Sequence, residues 1–298
     1  MKKLLILSGK GGTGKTTAAA AFIRFADARA FADCDVDAPN LHLVAGVGGT
    51  PEQFDYLGSR KAFIDPEKCI GCGACVKVCR FDAIKKSESL CEIVPYSCEG
   101  CGVCAAVCPQ NAVSLQDDVA GEVALFKGER VFSTAELKMG RGNSGKLVSE
   151  VKLALINAAR NEDLAIIDGS PGIGCPVIAS MSGVDLVLIV AEPSVSGISD
   201  MERILKTAAI FQTKAAVCVN KWDANPESTE KIERFCREND IPFVGRVPYD
   251  RQASAAVNAG KSVAEVDCPA SRALREVFER TMALLEVNSI TKIKGDIK

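Results

Sequence analysis

Eight of the fourteen cysteines lie in two runs of identical spacing near the middle of the 298-residue chain. Both runs read C-x2-C-x2-C-x3-C, a spacing that wraps thiolates around a [4Fe–4S] cube. The cysteines are Cys69, Cys72, Cys75 and Cys79 in the first run, and Cys98, Cys101, Cys104 and Cys108 in the second. Two runs predict two clusters, held by a short segment whose backbone has to fold tightly around them.

The composition restricts the chemistry that the chain can carry out. We expect a cytoplasmic protein, and fourteen cysteines in such a reducing compartment favour metal ligation over disulfides. His42 is the single histidine, which argues against histidine-based catalysis. The net charge of −2 gives no general attraction for nucleic acid or an anionic membrane. The apolar run 1–7 is too short to span a membrane and lacks the layout of a signal peptide.

A glycine-rich loop follows an apolar run at the start of the chain. Residues 3–8 predict a buried strand, and residues 9–16 match the pattern G-x4-G-K-[ST]. In this motif backbone N–H groups point at phosphate oxygens, the lysine contacts the outer phosphates and the threonine hydroxyl can bind Mg²⁺. The alanine-rich stretch that follows predicts a helix whose N-terminus faces the phosphates. Nucleotide binding is therefore predicted for Gly9, Lys10, Gly11, Gly12, Thr13, Gly14, Lys15, Thr16 and Thr17.

Apolar runs and amphipathic segments alternate along much of the remaining chain. A second strand ends at the acidic segment 33–37, and a strand at 164–167 is followed by Asp168. Further elements are predicted as strands at 186–191 and 215–219, and as helices at about 146–160, 199–211 and 227–238. This alternation predicts an α/β fold, in which helices cover both faces of a parallel sheet and ligands bind at the carboxyl ends of the strands.

The segment that carries the cysteine runs interrupts this alternation and contains an internal repeat. Residues 69–84 align with residues 98–113. Glycines recur at the same places in both copies, as Gly71, Gly73, Gly100 and Gly102. They suit a backbone that turns tightly. We therefore predict a discontinuous P-loop domain, residues 1–58 and 118–298, and an inserted domain, residues 59–117. The glycine-rich stretch 45–58 is interpreted as the connection between them.

Lys10, directly after the first glycine of the loop, is typical of one group of ATPases. The loop resembles the deviant Walker motif of the MinD/ParA/Mrp and nitrogenase iron-protein ATPases. That resemblance implies an ATP-hydrolysing homodimer in which Lys10 reaches the nucleotide of the partner subunit. It also implies that the core has the parallel-sheet fold of P-loop NTPases.

The same resemblance assigns roles to residues along the chain. It implies catalytic roles for Lys10, Lys15, Asp35 and Asp168, Mg²⁺ binding by Thr16 and Asp168, and contacts to the base from Asn220 and Pro248. Asp35 is the carboxylate expected to orient the attacking water. The residues themselves do not separate Asp35 from Asp33 or Asp37 in this role.

The inserted segment resembles a bacterial two-cluster ferredoxin, a small α+β domain, over its whole length. In such ferredoxins the fourth cysteine of each run binds the cluster of the other run. The resemblance thus implies one cluster held by Cys69, Cys72, Cys75 and Cys108, and a second held by Cys98, Cys101, Cys104 and Cys79. Zinc, which needs four ligands per site, is the alternative interpretation of the eight cysteines.

Several residues depart from these patterns or lie outside them. Arg80 stands where a proline is expected after Cys79; a solvated side chain and a charge that raises a cluster potential both stay open. Cys175 follows Asp168 at a place where the nitrogenase iron protein has a cluster ligand, but 139–142 lacks that protein's second cysteine, so a packed thiol and a transient ligand both stay open. The remaining cysteines are interpreted as buried structural thiols: Cys34, Cys91, Cys218, Cys236 and Cys268.

Three functions are compatible with this chain, which resembles MinD-superfamily ATPases with an inserted ferredoxin domain. The first, which we favour, couples ATP hydrolysis to electron transfer through two [4Fe–4S] clusters and a redox partner. The second is an ATP-dependent carrier or assembly factor that delivers a cluster or metal to a client protein. The third is a ParA/MinD-type positioning protein that binds DNA or a membrane. The near-neutral charge argues against the third, and residues 290–298 are predicted to fray rather than form a membrane-binding helix.

Overall fold

The chain forms two compact units in the computed structural model, which describes residues 1–287. Unit 1 comprises 1–53, 123–136 and the described residues from 144 onward, and unit 2 comprises 54–122 and 137–143. Unit 2 is therefore longer at both ends than the inserted domain predicted from the sequence, and it includes a second segment. The tail 290–298 lies outside the described residues.

Thirteen strands form within the described residues. They are β1 (Lys2–Leu7), β2 (Ala30–Asp33), β3 (Glu52–Leu57), β4 (Lys61–Ile64), β5 (Ile84–Lys86), β6 (Cys91–Ile93), β7 (Val113–Gln116), β8 (Val119–Phe126), β9 (Val131–Leu137), β10 (Leu164–Asp168), β11 (Leu186–Ala191), β12 (Lys214–Asn220) and β13 (Phe243–Val247). Nine of them form one sheet in the order β13-β12-β11-β1-β10-β2-β9-β8-β3.

Most neighbouring strands of this sheet are parallel. β1 lies between β10 and β11, and β10 pairs with β2, all in parallel register. Asp168 is in register with Ile6 on one side and with Asp33 on the other. The carboxyl ends of β1, β10 and β2 therefore lie side by side, which brings the residues that follow them to one edge. The predicted α/β fold with a mostly parallel sheet is confirmed.

Ten α-helices accompany the strands in the described residues. They are α1 (Lys15–Phe25), α2 (His42–Ala45), α3 (Ala74–Val78), α4 (Val103–Ala106), α5 (Ser144–Ala158), α6 (Cys175–Met181), α7 (Val195–Ile210), α8 (Pro226–Glu238), α9 (Arg251–Asn258) and α10 (Pro269–Glu286). Side-chain caps fix three of the starts. Ser194 Oγ accepts the Gly197 N–H before α7, Asn225 Oδ1 accepts the Ser228 N–H before α8, and Asp250 Oδ1 accepts the Gln252 N–H before α9.

The core of unit 1 forms where apolar helix faces meet the sheet. Leu4 and Ile6 of β1 are fully buried in the same apolar cluster as Phe22 of α1. The Phe22 ring packs edge to face against Phe278 of α10, with 5.1 Å between the ring centroids. Helix α1, which begins in the glycine-rich loop, is therefore held rigidly by the sheet and by α10.

Unit 2 repeats one small arrangement. β4 pairs with β7 and β5 with β6, both antiparallel. The short helices α3 and α4 each follow a glycine with positive φ, Gly73 at 75° and Gly102 at 79°. The repeat seen in the sequence thus recurs as matching backbone conformations.

Strands β3, β8 and β9 were not expected from the sequence. β3 lies inside the stretch 45–58 that was interpreted as the connection to the inserted segment, so this connection contains a strand at Glu52–Leu57. Tyr56 is its one buried residue, so β3 has no apolar run to mark it. Within residues 1–287, no helix is long and apolar enough to cross a membrane.

Candidate nucleotide and iron–sulfur sites

The glycine-rich loop connects β1 to α1 at the carboxyl edge of the sheet. Gly14, the last residue before α1, has a φ of 94°, in the left-handed region that favours glycine. A Cβ on Gly14 would clash with Nδ2 of Asn220. That Nδ2 donates a 2.6 Å hydrogen bond to the Thr13 carbonyl. Asn220, at the end of β12, is thereby fixed against the loop.

Gly14→Ala is expected to lower the free energy of unfolding by about 1–3 kcal/mol, because alanine is strained at positive φ and displaces Asn220. Gly11→Ala is the matched control, since a Cβ there meets no atom within 4 Å and its φ lies outside the left-handed region. We expect the control to change the free energy of unfolding by less than about 0.5 kcal/mol. Urea unfolding without nucleotide measures both; equal effects would contradict this account of the loop.

The lysine of the loop is buried and forms an ion pair. Lys15 Nζ lies 2.6 Å from Oδ1 of Asp168 at the end of β10 and 3.4 Å from the Thr16 hydroxyl. Burial alone would lower the pKa of Lys15, but the Asp168 carboxylate raises it overall, so the lysine stays charged. Asp168 Oδ2 and Thr13 Oγ1 are buried without a hydrogen-bond partner among the described residues. Such oxygens fit a site completed by Mg²⁺, water or phosphate.

Asp33 differs from the other acidic residues of segment 33–37. Its side chain is fully buried. Oδ1 accepts the N–H of Asp35 at 3.0 Å, and Oδ2 accepts the N–H groups of Asn40 at 2.8 Å and Leu41 at 2.9 Å. Burial, followed by the charge of Asp168, raises the pKa of Asp33. Asp33 therefore shapes the loop after β2.

Asp35 and Asp37 line a cavity beside the glycine-rich loop. Burial raises the pKa of Asp35, and the positive charge of Lys15 opposes that shift. Asp35 is half-buried, whereas Asp37 is exposed. A half-buried carboxylate that interacts with Lys15 is the better placed of the two to orient a water molecule at a phosphate.

Two cavities in unit 1 gather most of the predicted nucleotide-binding residues. The first is lined by the loop from Lys10 to Thr17, and the second by Gly12, Gly14, Thr17, Asn220 and Pro248. Gly9 packs instead against Asp200 of α7. Val257 and Asn258 of α9 line both cavities and were missed from the sequence, because no motif marks that helix.

Lys10 forms an ion pair within its own chain. Its Nζ lies 2.5 Å from a carboxylate oxygen of Glu192, and both side chains are partly exposed. Exposed pairs of this kind contribute little stability, so the lysine can exchange Glu192 for another anion.

The eight cysteines of the two runs line two cavities in unit 2. The first cysteine cavity is lined by Cys69, Cys72, Cys75 and Cys108. The second cysteine cavity is lined by Cys79, Cys98, Cys101 and Cys104. Each cavity therefore takes three thiols from one run and the fourth from the other. Cys91 also lines the first cysteine cavity.

The backbone around the cysteines fits groups that bind thiolates. The Ala62 N–H lies 3.4 Å from Cys98 Sγ, and the Ala112 N–H lies 3.3 Å from Cys108 Sγ. Backbone N–H groups of Cys91 and Gly71 lower the pKa of Cys69, which favours its thiolate. Within residues 1–287 no three Cys, His, Asp or Glu side chains converge on a single point as the ligands of one metal ion do. The donor set fits a cube, which binds one thiolate at each of four irons.

The other cysteines of the chain are in different surroundings. Burial raises the pKa of the Cys34, Cys218 and Cys236 thiols to about 12, so these are inert packed thiols. Cys268 is also buried. Cys175 is exposed at the first residue of α6. Arg80 is exposed as well.

A strand, a glycine-rich loop and a helix, with a buried Lys15–Asp168 pair at the carboxyl edge of a parallel sheet, define the P-loop ATPase fold. The chain belongs to the CobQ/CobB/MinD/ParA nucleotide-binding domain family, whose sequence profile matches residues 4–263.

Individual proteins are similar to nearly the whole chain. A protein of uncharacterised function from Methanocaldococcus jannaschii is 34% identical, and the match covers 93% of this chain and 95% of the relative. The iron–sulfur cluster carrier protein of Pyrococcus furiosus is 23% identical, with 99% and 88% covered. The structure of the septum site-determining protein MinD from Pyrococcus horikoshii has the same fold, with a TM-score of 0.56, 17% identity and coverage of 97% and 98%.

Proposed function

We propose that this protein is an ATPase that works as a homodimer and couples its nucleotide cycle to electron transfer through two [4Fe–4S] clusters. The crossed sharing of thiols between the two cysteine cavities is the observation that carries the proposal. In two-cluster ferredoxins each cluster is bound by three cysteines of one run and one cysteine of the other, and these clusters are stable electron carriers. Zinc, the alternative, also takes four ligands per site, and its usual sites do not use two interleaved runs of this kind.

Unit 1 supplies the residues for the nucleotide half of the proposal. Lys15 is expected to move from Asp168 to the outer phosphates, and Thr16 and Asp168 to hold Mg²⁺. Asp35 orients the attacking water. Lys10 leaves Glu192 and reaches the nucleotide of the partner subunit.

The connection between the two halves runs through the loop after β2. Asp33 holds the N–H groups of Asn40 and Leu41, and the chain enters unit 2 at Phe54, soon after this loop. If this loop changes conformation with the outer phosphate of the nucleotide, it can therefore displace the segment that leads into unit 2. This link makes cluster properties depend on whether ATP or ADP is bound.

A carrier that delivers clusters to client proteins is the second candidate. It is favoured by the similarity to the iron–sulfur cluster carrier protein of Pyrococcus furiosus, which extends over 99% of this chain. Cys72 and Cys101 are exposed, so each cavity has one thiol that an acceptor could approach. The two candidates differ in whether the cluster or only an electron leaves the protein.

Anaerobic purification and redox titration followed by EPR test the proposal. We expect about eight irons per chain, two reducible clusters, and midpoint potentials that differ between the ATP and ADP states. Thr16→Ala, which lacks the Mg²⁺ ligand, is the control: it should keep both clusters and lose the response to nucleotide. Absence of clusters would overturn both candidates. If the midpoint potentials are the same in the ATP and ADP states, and iron is lost to an apo-ferredoxin acceptor in an ATP-dependent manner, the carrier function is supported instead.

A further inference from the structure

Cys91 is a fifth cysteine at the first cysteine cavity. It begins β6 and is 4% exposed. Its side chain lies in the same buried cluster as Cys75, and Cys69 packs against that cluster. It differs from buried Cys218 and Cys236 because it faces a cavity that four other thiols line.

The internal repeat provides a comparison for Cys91. Ala62 lies seven residues before Cys69, as Cys91 lies seven residues before Cys98. Ala62 lines the second cysteine cavity, and its N–H lies 3.4 Å from Cys98 Sγ. In the first cavity the Cys91 N–H is the leading cause of the lowered pKa of Cys69. The backbone N–H at this position of the repeat is therefore near a cysteine in both cavities. Only at the first cysteine cavity does the same position also carry a side chain that could bind iron.

We propose that Cys91 is a reserve ligand of the first cysteine cavity and replaces Cys69 on iron when that bond opens, an inference that rests on the cluster content proposed above. In the exchange the Fe–Sγ bond to Cys69 breaks and an Fe–Sγ bond to Cys91 forms. The proton of the Cys91 thiol passes to Cys69, so no electron and no net charge is transferred. The first cluster can thus open one protein ligand and keep four thiolates, whereas the second cluster cannot.

The test counts clusters in variants of the full chain, from iron and sulfide content and from spin quantitation of the reduced EPR spectrum. Cys69→Ala should keep both clusters, and Cys69→Ala/Cys91→Ala should lose one, about half of the iron. Cys91→Ala alone should keep both. At the second cysteine cavity, Cys98→Ala should lose one cluster, and Cys98→Ala/Ala62→Cys should regain it.

The outcomes separate this inference from the proposed function. A wild-type chain without clusters overturns the proposed function and the reserve ligand together. A wild-type chain with two clusters upholds the cluster content; equal iron in Cys69→Ala and Cys69→Ala/Cys91→Ala then overturns the reserve ligand alone. Loss of a cluster in Cys91→Ala also overturns it, because Cys91 would then be an obligatory ligand. If Cys69→Ala does not fold, the Ala62→Cys pair decides: regained iron supports the inference and unchanged iron overturns it.

Discussion

Replacement of Cys79 and Cys101 together is expected to abolish one cluster and leave the other intact. Both thiols line the second cysteine cavity, although they belong to different runs. A cavity stripped to two thiols cannot hold a cube that needs four, whereas the first cysteine cavity keeps its full set. The double variant Cys79→Ala/Cys101→Ala should therefore retain about half of the iron and about one reducible cluster per chain.

The matched variant Cys101→Ala/Cys108→Ala removes two thiols of the same run. Cys108 lines the first cysteine cavity, and Cys91 is proposed to replace Cys69 alone. This variant therefore damages both sites, and we expect no intact cluster. Iron content and EPR spin quantitation compare the two variants directly. If each run instead bound its own cluster, the results would be reversed, with one cluster left in Cys101→Ala/Cys108→Ala and none in the other.

Lys15→Met is expected to lower the free energy of unfolding of the nucleotide-free protein by about 3–5 kcal/mol. The reason is that Lys15 interacts with the charges of Asp168, Asp33 and Asp35, and without it the buried Asp168 carboxylate has no cation. Urea unfolding gives the free energy, and ATP hydrolysis, measured separately, should fall to background because the phosphates lose their cation.

A double variant separates the buried charge from simple loss of packing. Lys15→Met/Asp168→Ala removes both partners, so we expect it to be more stable than Lys15→Met, although it is equally inactive. If the stability losses of Lys15→Met and Asp168→Ala add up to the loss in the double variant, the ion pair does not explain the destabilisation by Lys15→Met.

Local motifs made the nucleotide site predictable. The loop from Gly9 to Thr16 is contiguous, and the strand and helix around it have clear apolar patterns, so the fold of unit 1 followed from sequence. The different surroundings of Asp33 and Asp35 could not be predicted from the sequence. They depend on which carboxylate accepts hydrogen bonds from the backbone N–H groups of Asn40 and Leu41. Three neighbouring aspartates look alike until the chain has folded.

The spacing of cysteines identified the eight residues that line the two cavities, but it concealed Cys91. Spacing rules describe ligands that share a turn, and Cys91 reaches the first cysteine cavity from β6. The aligned repeat contained the signal: Ala62 and Cys91 hold equivalent places before the two runs. Comparing the flanks of the repeat, and not only its cysteines, would have singled out this residue.

The crossed cysteine cavities also determine when the proposed clusters could be inserted during synthesis. Neither cavity has its full set of four run cysteines until the ribosome has passed Cys104, and the first cysteine cavity has to wait for Cys108. Cys69, the first of the eight run cysteines to emerge, therefore lacks a complete site while residues 70–107 are translated. Insertion of the proposed clusters would thus follow translation of both runs, and a nascent chain exposed to oxidants in that interval would be vulnerable at thiols that a bound cluster would occupy.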